Sequence, residues 1–165
     1  MISELKALLV RDPRWTVAVA ESLTAGHVQA LLSSISGSSD YFLGGVTAYS
    51  LDQKVRLLGV DRGEAEAVNS VSDDVARQMA EGVLKLFGSD WSVATTGYAE
   101  RALDRGVEEP FAWWAVAQRC GADLVVTTGE ISCPNLDRIA VQTQVATAAV
   151  IELLARVRAA RERAT

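Results

Sequence analysis

Three side chains that together could perform nucleophilic chemistry lie close in the sequence: Ser39, Tyr49 and Lys54. A serine hydroxyl is a weak nucleophile at neutral pH and needs a neighbouring base. A lysine serves as that base when burial or nearby cations favour its neutral form, and a tyrosine can relay the proton or donate to a developing oxyanion. The grouping predicts a serine nucleophile with its activators. On spacing alone, a surface loop with a solvated lysine is the more frequent outcome for so short a motif.

A second group of polar and small residues separates the first predicted strand from the helix that follows it. Glu21 directly follows an apolar strand and should lie at its carboxyl-terminal rim, where ligands of α/β proteins usually bind. Ser22 and Thr24 either cap the helix or contact a ligand, because both uses need the same geometry. His27 is the only histidine, which excludes metal sites built from several imidazoles. We expect it to pack in the fold or lie on the surface.

The elements that must position these residues read as strands alternating with helices. Helices are predicted over residues 2–11, 27–35, 52–58, 73–87 and 136–163. Strands are predicted over residues 15–20, 44–49, 91–97, 111–118 and 124–132, the last two joined by a turn at Gly121. Residues 61–72 read as polar and irregular. This order predicts an α/β fold, a three-layer α/β/α sandwich with a mixed, mostly parallel sheet.

The composition restricts the class of protein. With 165 residues, 49% of them apolar and 22% charged, we expect residues 1–165 to form a single globular domain. A formal charge of −5 and a pI near 4.9 argue against a nucleic-acid-binding surface. The arginines near the end of the chain are interpreted as the solvated end of a helix. They are Arg156, Arg158, Arg161 and Arg163.

The sequence lacks the usual features of secreted and membrane proteins. Residues 1–15 have no long uncharged core of a signal peptide, and no window approaches about 18 uninterrupted apolar residues. Cys120 and Cys133 have no CxxC spacing and are expected to be free thiols in a reducing compartment. We therefore expect a cytoplasmic protein without a membrane partner. The apolar final helix and the adjacent Trp113 and Trp114 favour a homo-oligomer.

Several segments of the first sixty residues have a recognisable order and spacing: AESLTAG at residues 20–26, GSS at 37–39, VTAYS at 46–50, Lys54, and LLGV at 57–60. In this order and spacing they resemble the CinA C-terminal domain family of competence/damage-inducible proteins. The resemblance covers most of the chain and is most specific in the first sixty residues. Stand-alone members of this family are nicotinamide-mononucleotide amidohydrolases. The resemblance therefore implies an enzyme of NAD salvage that deamidates a small-molecule nucleotide, without a metal or a cofactor.

The resemblance also implies roles for individual residues. Ser39 falls on the family's catalytic serine, and Tyr49 and Lys54 fall on its activating pair, with backbone N–H groups near the Gly37 turn expected to hold the oxyanion. The implied substrate-binding residues are Glu21, Ser22, Thr24, Gly26, Gly37, Ser38, Thr96, Gly97 and Arg138.

Two regions depart from the family pattern. Residues 100–106, ERALDRG, stand where the family has a glycine-rich loop, and Gln142 and Thr143 stand where it has arginines. These changes motivate a second hypothesis: a paralogue that keeps the scaffold and acts as a nucleotide-binding or regulatory module without turnover. A third hypothesis is a hydrolase for another amide.

Overall fold

The computed structural model describes residues 1–163, which contain one five-stranded sheet in the order β2-β1-β3-β4-β5. The strands are β1 Val17–Glu21, β2 Phe42–Thr47, β3 Trp91–Tyr98, β4 Phe111–Cys120 and β5 Asp123–Ser132. β1 pairs in parallel with β2 and β3, whereas β4 pairs antiparallel with β3 and β5. Four of these five strands therefore run in one direction. The predicted mixed sheet and the predicted terminal hairpin are confirmed.

Helices cover both faces of the sheet and complete the predicted three layers. The helices are α1 Ile2–Val10, α2 His27–Ser33, α3 Leu51–Leu58, α4 Arg62–Ala67, α5 Asp73–Phe87 and α6 Arg138–Arg163. α1, α2 and α6 share one hydrophobic cluster with the sheet, and α3, α4 and α5 share another. α4 lies in the segment predicted to be irregular, so that prediction is wrong. This helix of six residues is too short and too polar to show an apolar period.

The two faces of the sheet differ in side-chain size because successive strand residues point to opposite faces. Val17 and Val19 of β1 face α1, α2 and α6, whereas Ala18 and Ala20 face α5. The strand residues buried in the α5 cluster are all alanines: Ala18, Ala20, Ala94, Ala115 and Ala117. Small side chains on this face let α5 pack close to the sheet.

α5 also approaches α3 closely. A Cβ placed on Gly82 would lie 2.0 Å from the carbonyl oxygen of Leu58, the last residue of α3. Only glycine leaves room for backbone at that distance. The position of α3 is therefore set by a backbone contact with α5.

The end of α6 corrects one interpretation of the sequence, because Arg161 is buried rather than solvated. Its guanidinium stacks 3.5 Å from the ring centroid of Trp15. It also donates hydrogen bonds to the carbonyl oxygens of Leu8 at 2.9 Å, Arg11 at 3.0 Å and Pro13 at 2.7 Å. Arg161 thus satisfies carbonyl groups at the end of α1 that have no partner within that helix.

By length and composition alone, α6 would be long and apolar enough to cross a membrane. In the folded chain its apolar residues instead pack against α1, α2, β3 and β4. Val145, Val150 and Leu153 have no exposed surface. α6 is therefore the core helix of that face of the sheet.

Candidate active site

A cleft of about 480 Å³ opens beyond the carboxyl ends of the neighbouring strands β1, β2 and β3. Ligands of open α/β sheets bind in such a place, where successive connections leave a strand in opposite directions. Ser22 follows β1, Tyr49 follows β2, and Gly97 and Tyr98 end β3. Arg138, the first residue of α6, completes this side of the cleft.

A buried serine–lysine pair lies at the inner end of the cleft. The Nζ atom of Lys54 is 2.9 Å from the Oγ atom of Ser22 and 3.0 Å from the carbonyl oxygen of Tyr49. Ser22 is 7% exposed and Lys54 is 2% exposed. Burial lowers the pKa of Lys54 to about 8, because the charged amine loses hydration. A substantial fraction of this amine is therefore neutral near pH 8 and able to accept the hydroxyl proton of Ser22.

Lys54 is held in place by the start and the end of α3. The Oγ atom of Ser50 accepts a hydrogen bond from the N–H of Gln53 and caps the helix directly after β2. Gly59, predicted as the end of this helix, has a φ of 67° and donates its N–H to the carbonyl groups of Lys54 and Val55. The helix is thus fixed at both ends, with Lys54 on its buried side.

Ser39, the predicted nucleophile, lies far from Lys54. It is an exposed residue of a short 3₁₀ turn, Ser38–Asp40, that precedes β2, whereas Lys54 follows β2. A strand of six residues spans about 20 Å, so the two side chains lie at opposite ends of the sheet. The predicted Ser39–Lys54 pair is therefore wrong, and the hydroxyl that meets Lys54 belongs to Ser22. Gly37 and Ser38 share the location of Ser39 and do not line the cleft.

The remaining polar residues between β1 and α2 stabilise the fold and do not line the cleft. The fully buried carboxylate of Glu21 accepts hydrogen bonds from three backbone N–H groups at the start of α2, at 2.9 to 3.1 Å. The hydroxyls of Thr24 and Thr95 are 2.7 Å apart in the core. Gly26 precedes α2 with a φ of 106°. Of the predicted binding residues in this segment, Glu21, Thr24 and Gly26 therefore lie outside the lining of the cleft.

The predicted binding residues from the second half of the chain do reach the cleft, since Thr96, Gly97 and Arg138 line it. Thr96 donates its hydroxyl to the carbonyl oxygen of Ser70 at 2.6 Å. Arg138 donates to the hydroxyl oxygen of Tyr49 at 2.7 Å. The phenol of Tyr49 is therefore paired with Arg138, and only its backbone carbonyl contacts Lys54.

Sequence reasoning missed the contribution of the segment after β3. Glu100, Arg101 and Arg105 line the cleft, and the carboxylate of Glu100 accepts a hydrogen bond from Arg138 at 2.7 Å. The available signal was a run of charged residues directly after a strand end, at the edge where ligands bind. The departure from the glycine-rich pattern therefore forms one wall of the site.

Comparisons with known proteins show which family the chain resembles. The model of the CinA C-terminal domain family matches residues 1–157. A CinA-like protein of Picosynechococcus sp. is 50% identical over 91 residues, which are 55% of this chain and 22% of that protein. A CinA-like protein of Chlorobium limicola is 45% identical over 98 residues, 59% of this chain and 23% of that protein. These alignments span less than a quarter of the length of the curated relatives.

Solved structures resemble the chain over nearly its whole length. A CinA superfamily protein of Klebsiella pneumoniae has a TM-score of 0.84 and 25% identity, covering 94% of each chain. The competence/damage-inducible protein CihA of Agrobacterium tumefaciens has a TM-score of 0.80 and 28% identity, covering 93% of this chain and 94% of its own. The sequence match and the shared architecture lead to one conclusion: the chain belongs to the CinA C-terminal domain family.

Proposed function

We propose that the chain is an amidohydrolase that converts the carboxamide of nicotinamide mononucleotide, or of a closely similar nucleotide, into a carboxylate and ammonia. The proposal is carried by the 2.9 Å distance between Lys54 Nζ and Ser22 Oγ in a buried site. A serine beside a desolvated lysine is a nucleophile with its base. The substrate class comes from the family resemblance, and the cleft volume of about 480 Å³ suits a small-molecule ligand.

In the proposed reaction, neutral Lys54 takes the hydroxyl proton while the Oγ atom of Ser22 attacks the carboxamide carbon. The carbon–nitrogen bond then breaks, and the ammonium group of Lys54 returns the proton to the departing amine, so that ammonia leaves and an acyl-serine ester remains. Lys54 next deprotonates a water molecule, whose oxygen attacks the ester carbon. The bond between that carbon and Ser22 Oγ breaks, the ammonium group of Lys54 returns the proton to Oγ, and the acid is released. We assign the oxyanion to the backbone N–H of Leu23, which follows Ser22 and lines the cleft.

The test is the rate of ammonia release from nicotinamide mononucleotide by two serine variants. Ser22→Ala should lower kcat by about a thousandfold or more, because the nucleophile is lost. Ser39→Ala should retain the rate of the unaltered protein, because Ser39 is exposed at the other end of the sheet. Circular dichroism checks that both variants fold. Loss of activity in Ser39→Ala with activity kept in Ser22→Ala would disprove the assignment.

A second candidate function, nucleotide binding without turnover, is favoured by residues 100–106, which stand where the family has a glycine-rich loop and bring Glu100 and Arg101 into the cleft. Glu100 lies 2.7 Å from Arg138, and Glu109 lies 2.6 Å from Arg101. This wall of the cleft is therefore held by side-chain ion pairs that glycines cannot form. The ammonia assay separates the two functions, since binding of the mononucleotide without ammonia release would support this second one.

A further inference from the structure

Three guanidinium groups line the cleft and are similarly accessible. They belong to Arg101, Arg105 and Arg138, whose side chains are 62%, 47% and 42% exposed. Each has the charge and the planar donor arrangement that bind phosphate oxygens. Exposure alone does not distinguish them, but their partners do.

Two of the three arginines already bind a carboxylate. Arg138 donates to Glu100 at 2.7 Å and to the hydroxyl oxygen of Tyr49 at 2.7 Å. Arg101 donates to Glu109 at 2.6 Å. An incoming anion at either position would compete with a carboxylate that is already in hydrogen-bond contact.

Arg105 has a different partner. Its Nη1 atom donates to the side-chain oxygen of Asn69 at 2.6 Å, and that amide carries no charge. The carboxylate of Asp104 is 3.7 Å from its Nε atom, beyond hydrogen-bond distance, and the Asp104 side chain is 80% exposed. Of the three cleft arginines, Arg105 therefore offers the least neutralised charge to a ligand.

The partner of Arg105 lies in an unusual backbone segment. Asn69 and Ser70 are consecutive residues with positive φ, 51° and 62°, and both line the cleft. Non-glycine residues adopt this conformation at some cost and are often found at ligand sites. The hydrogen bond from Thr96 to the Ser70 carbonyl fixes the segment to β3. Arg105 and Asn69 thus face each other from two different walls of the cleft.

We propose that Arg105 binds the phosphate of the nucleotide substrate and determines selectivity for phosphorylated over unphosphorylated ligands. On binding, its guanidinium exchanges the neutral oxygen of Asn69 for phosphate oxygens, which form shorter and stronger charge-assisted hydrogen bonds. This inference rests on the proposed function for the identity of the ligand. It does not depend on turnover.

The test is calorimetric binding of nicotinamide mononucleotide and of nicotinamide riboside, which lacks the phosphate, to the inactive Ser22→Ala protein. Adding Arg105→Gln should weaken mononucleotide binding about tenfold, the scale of one charge-assisted hydrogen bond. Riboside affinity should change less than about twofold. Arg101→Gln is the matched control, and it should weaken mononucleotide binding less than about threefold because Glu109 already occupies that guanidinium.

Three results would overturn the inference. Arg105→Gln could weaken the binding of both ligands equally, Arg101→Gln could weaken mononucleotide binding more than Arg105→Gln does, or the Ser22→Ala protein could bind both ligands with the same affinity. Failure of the proposed function has a separate signature, which is absence of ammonia release from the protein with Ser22 intact. Because binding is measured without turnover, tenfold weaker mononucleotide binding in Arg105→Gln would support the phosphate contact in either case.

Discussion

The chemistry of Lys54 depends on the loss of water around its amine. Desolvation lowers its pKa to about 8, which brings the neutral, basic form within reach of physiological pH. Its two hydrogen-bond acceptors, the Ser22 hydroxyl and the Tyr49 carbonyl, are uncharged and therefore do not restore the pKa of an exposed lysine. The same burial that favours the neutral amine makes its charged form a source of instability.

The first prediction concerns the pH dependence of activity. If neutral Lys54 is the base, kcat/KM should rise tenfold per pH unit below pH 8 and level off above it. Initial rates of ammonia release between pH 6 and about pH 9.5 measure this profile. A profile that is flat across pH 8 would contradict a role for Lys54 as the base.

The second prediction concerns stability. Lys54 loses its proton near pH 8 in the folded protein and near pH 10.5 in the unfolded chain, so between these values the unfolded state binds more protons and the free energy of unfolding rises with pH. Below pH 8 both states are protonated and the burial penalty is fully present. Lys54→Met should therefore raise the free energy of unfolding by about 2 kcal/mol at pH 7, and the gain should shrink as pH rises towards 10.5.

Urea unfolding at several pH values measures this difference. Lys85→Met, at an exposed position of α5, is the matched control and should change the free energy of unfolding by less than about 0.5 kcal/mol. A Lys54→Met protein that is less stable than the parent at pH 7 would show that the hydrogen bonds of the amine outweigh its desolvation.

At the scale of residues, the sequence predicted Lys54 and several cleft residues but not the partner of the lysine. Ser22 and Ser39 are both hydroxyls near strand ends, and sequence distance from Lys54 favours Ser39. The structure instead brings Ser22 to Lys54, because β1 and β2 pair in parallel and the residues that follow the two strands therefore lie at the same edge of the sheet. Tertiary pairing, not local pattern, decides which serine contacts Lys54.

At the scale of elements, the geometry of the site depends on the contact between α3 and α5. Gly82→Ala should lower the free energy of unfolding by about 3 kcal/mol, because the new Cβ would lie 2.0 Å from the Leu58 carbonyl oxygen and the helices must separate. Lys54 lies on α3, so ammonia release should also fall. Thermal unfolding and the ammonia assay measure the two effects.

Gly63→Ala is the control for this substitution. Gly63 is an exposed residue of α4, and a Cβ there would approach Asp61 no closer than 3.4 Å. Gly63→Ala should leave the free energy of unfolding unchanged or raise it by up to about 1 kcal/mol, since alanine is the better helix former. Equal destabilisation by the two substitutions would disprove the role assigned to the α3–α5 contact.

The elements that were predicted with the correct bounds carry complete local signals. α5 has both an apolar stripe and a capping residue: the Oγ atom of Ser72 accepts from the N–H of Val75, and the helix ends at Gly88 in the left-handed conformation. α4 has the cap, since Asp61 accepts from Glu64, but too few buried residues to form a stripe. A cap without an apolar period does not reveal a helix in the sequence.

At the scale of the whole molecule, Arg161 joins the two ends of the described chain. Arg161→Gln should lower the free energy of unfolding by about 2 to 3 kcal/mol, because the carbonyl groups of Leu8, Arg11 and Pro13 lose a charged donor that is itself buried. Arg158→Gln is the matched control. Arg158 is 49% exposed and paired with Glu4, so Arg158→Gln should lower the free energy of unfolding by less than about 1 kcal/mol. Urea unfolding measures the stability of both variants, and equal losses of stability would contradict the role assigned to the buried Arg161 contact.

The fold class followed from the sequence because strands with buried faces alternate with amphipathic helices, and few layer architectures accommodate this alternation. Contacts between distant segments did not follow, and the burial of Arg161 beside Trp15 is one example. Self-association and a cytoplasmic location stay predictions. Sedimentation velocity would test the first.

The joining of α1 to α6 has a consequence for synthesis. Leu8 and Arg161 are 153 positions apart, so the first helix emerges from the ribosome long before the helix that holds it in place. Until then the valine-rich face of the sheet is only partly covered, and a nascent chain in this state offers apolar surface to chaperones or to other chains. Translation speed through the last helix is therefore expected to influence the yield of folded protein.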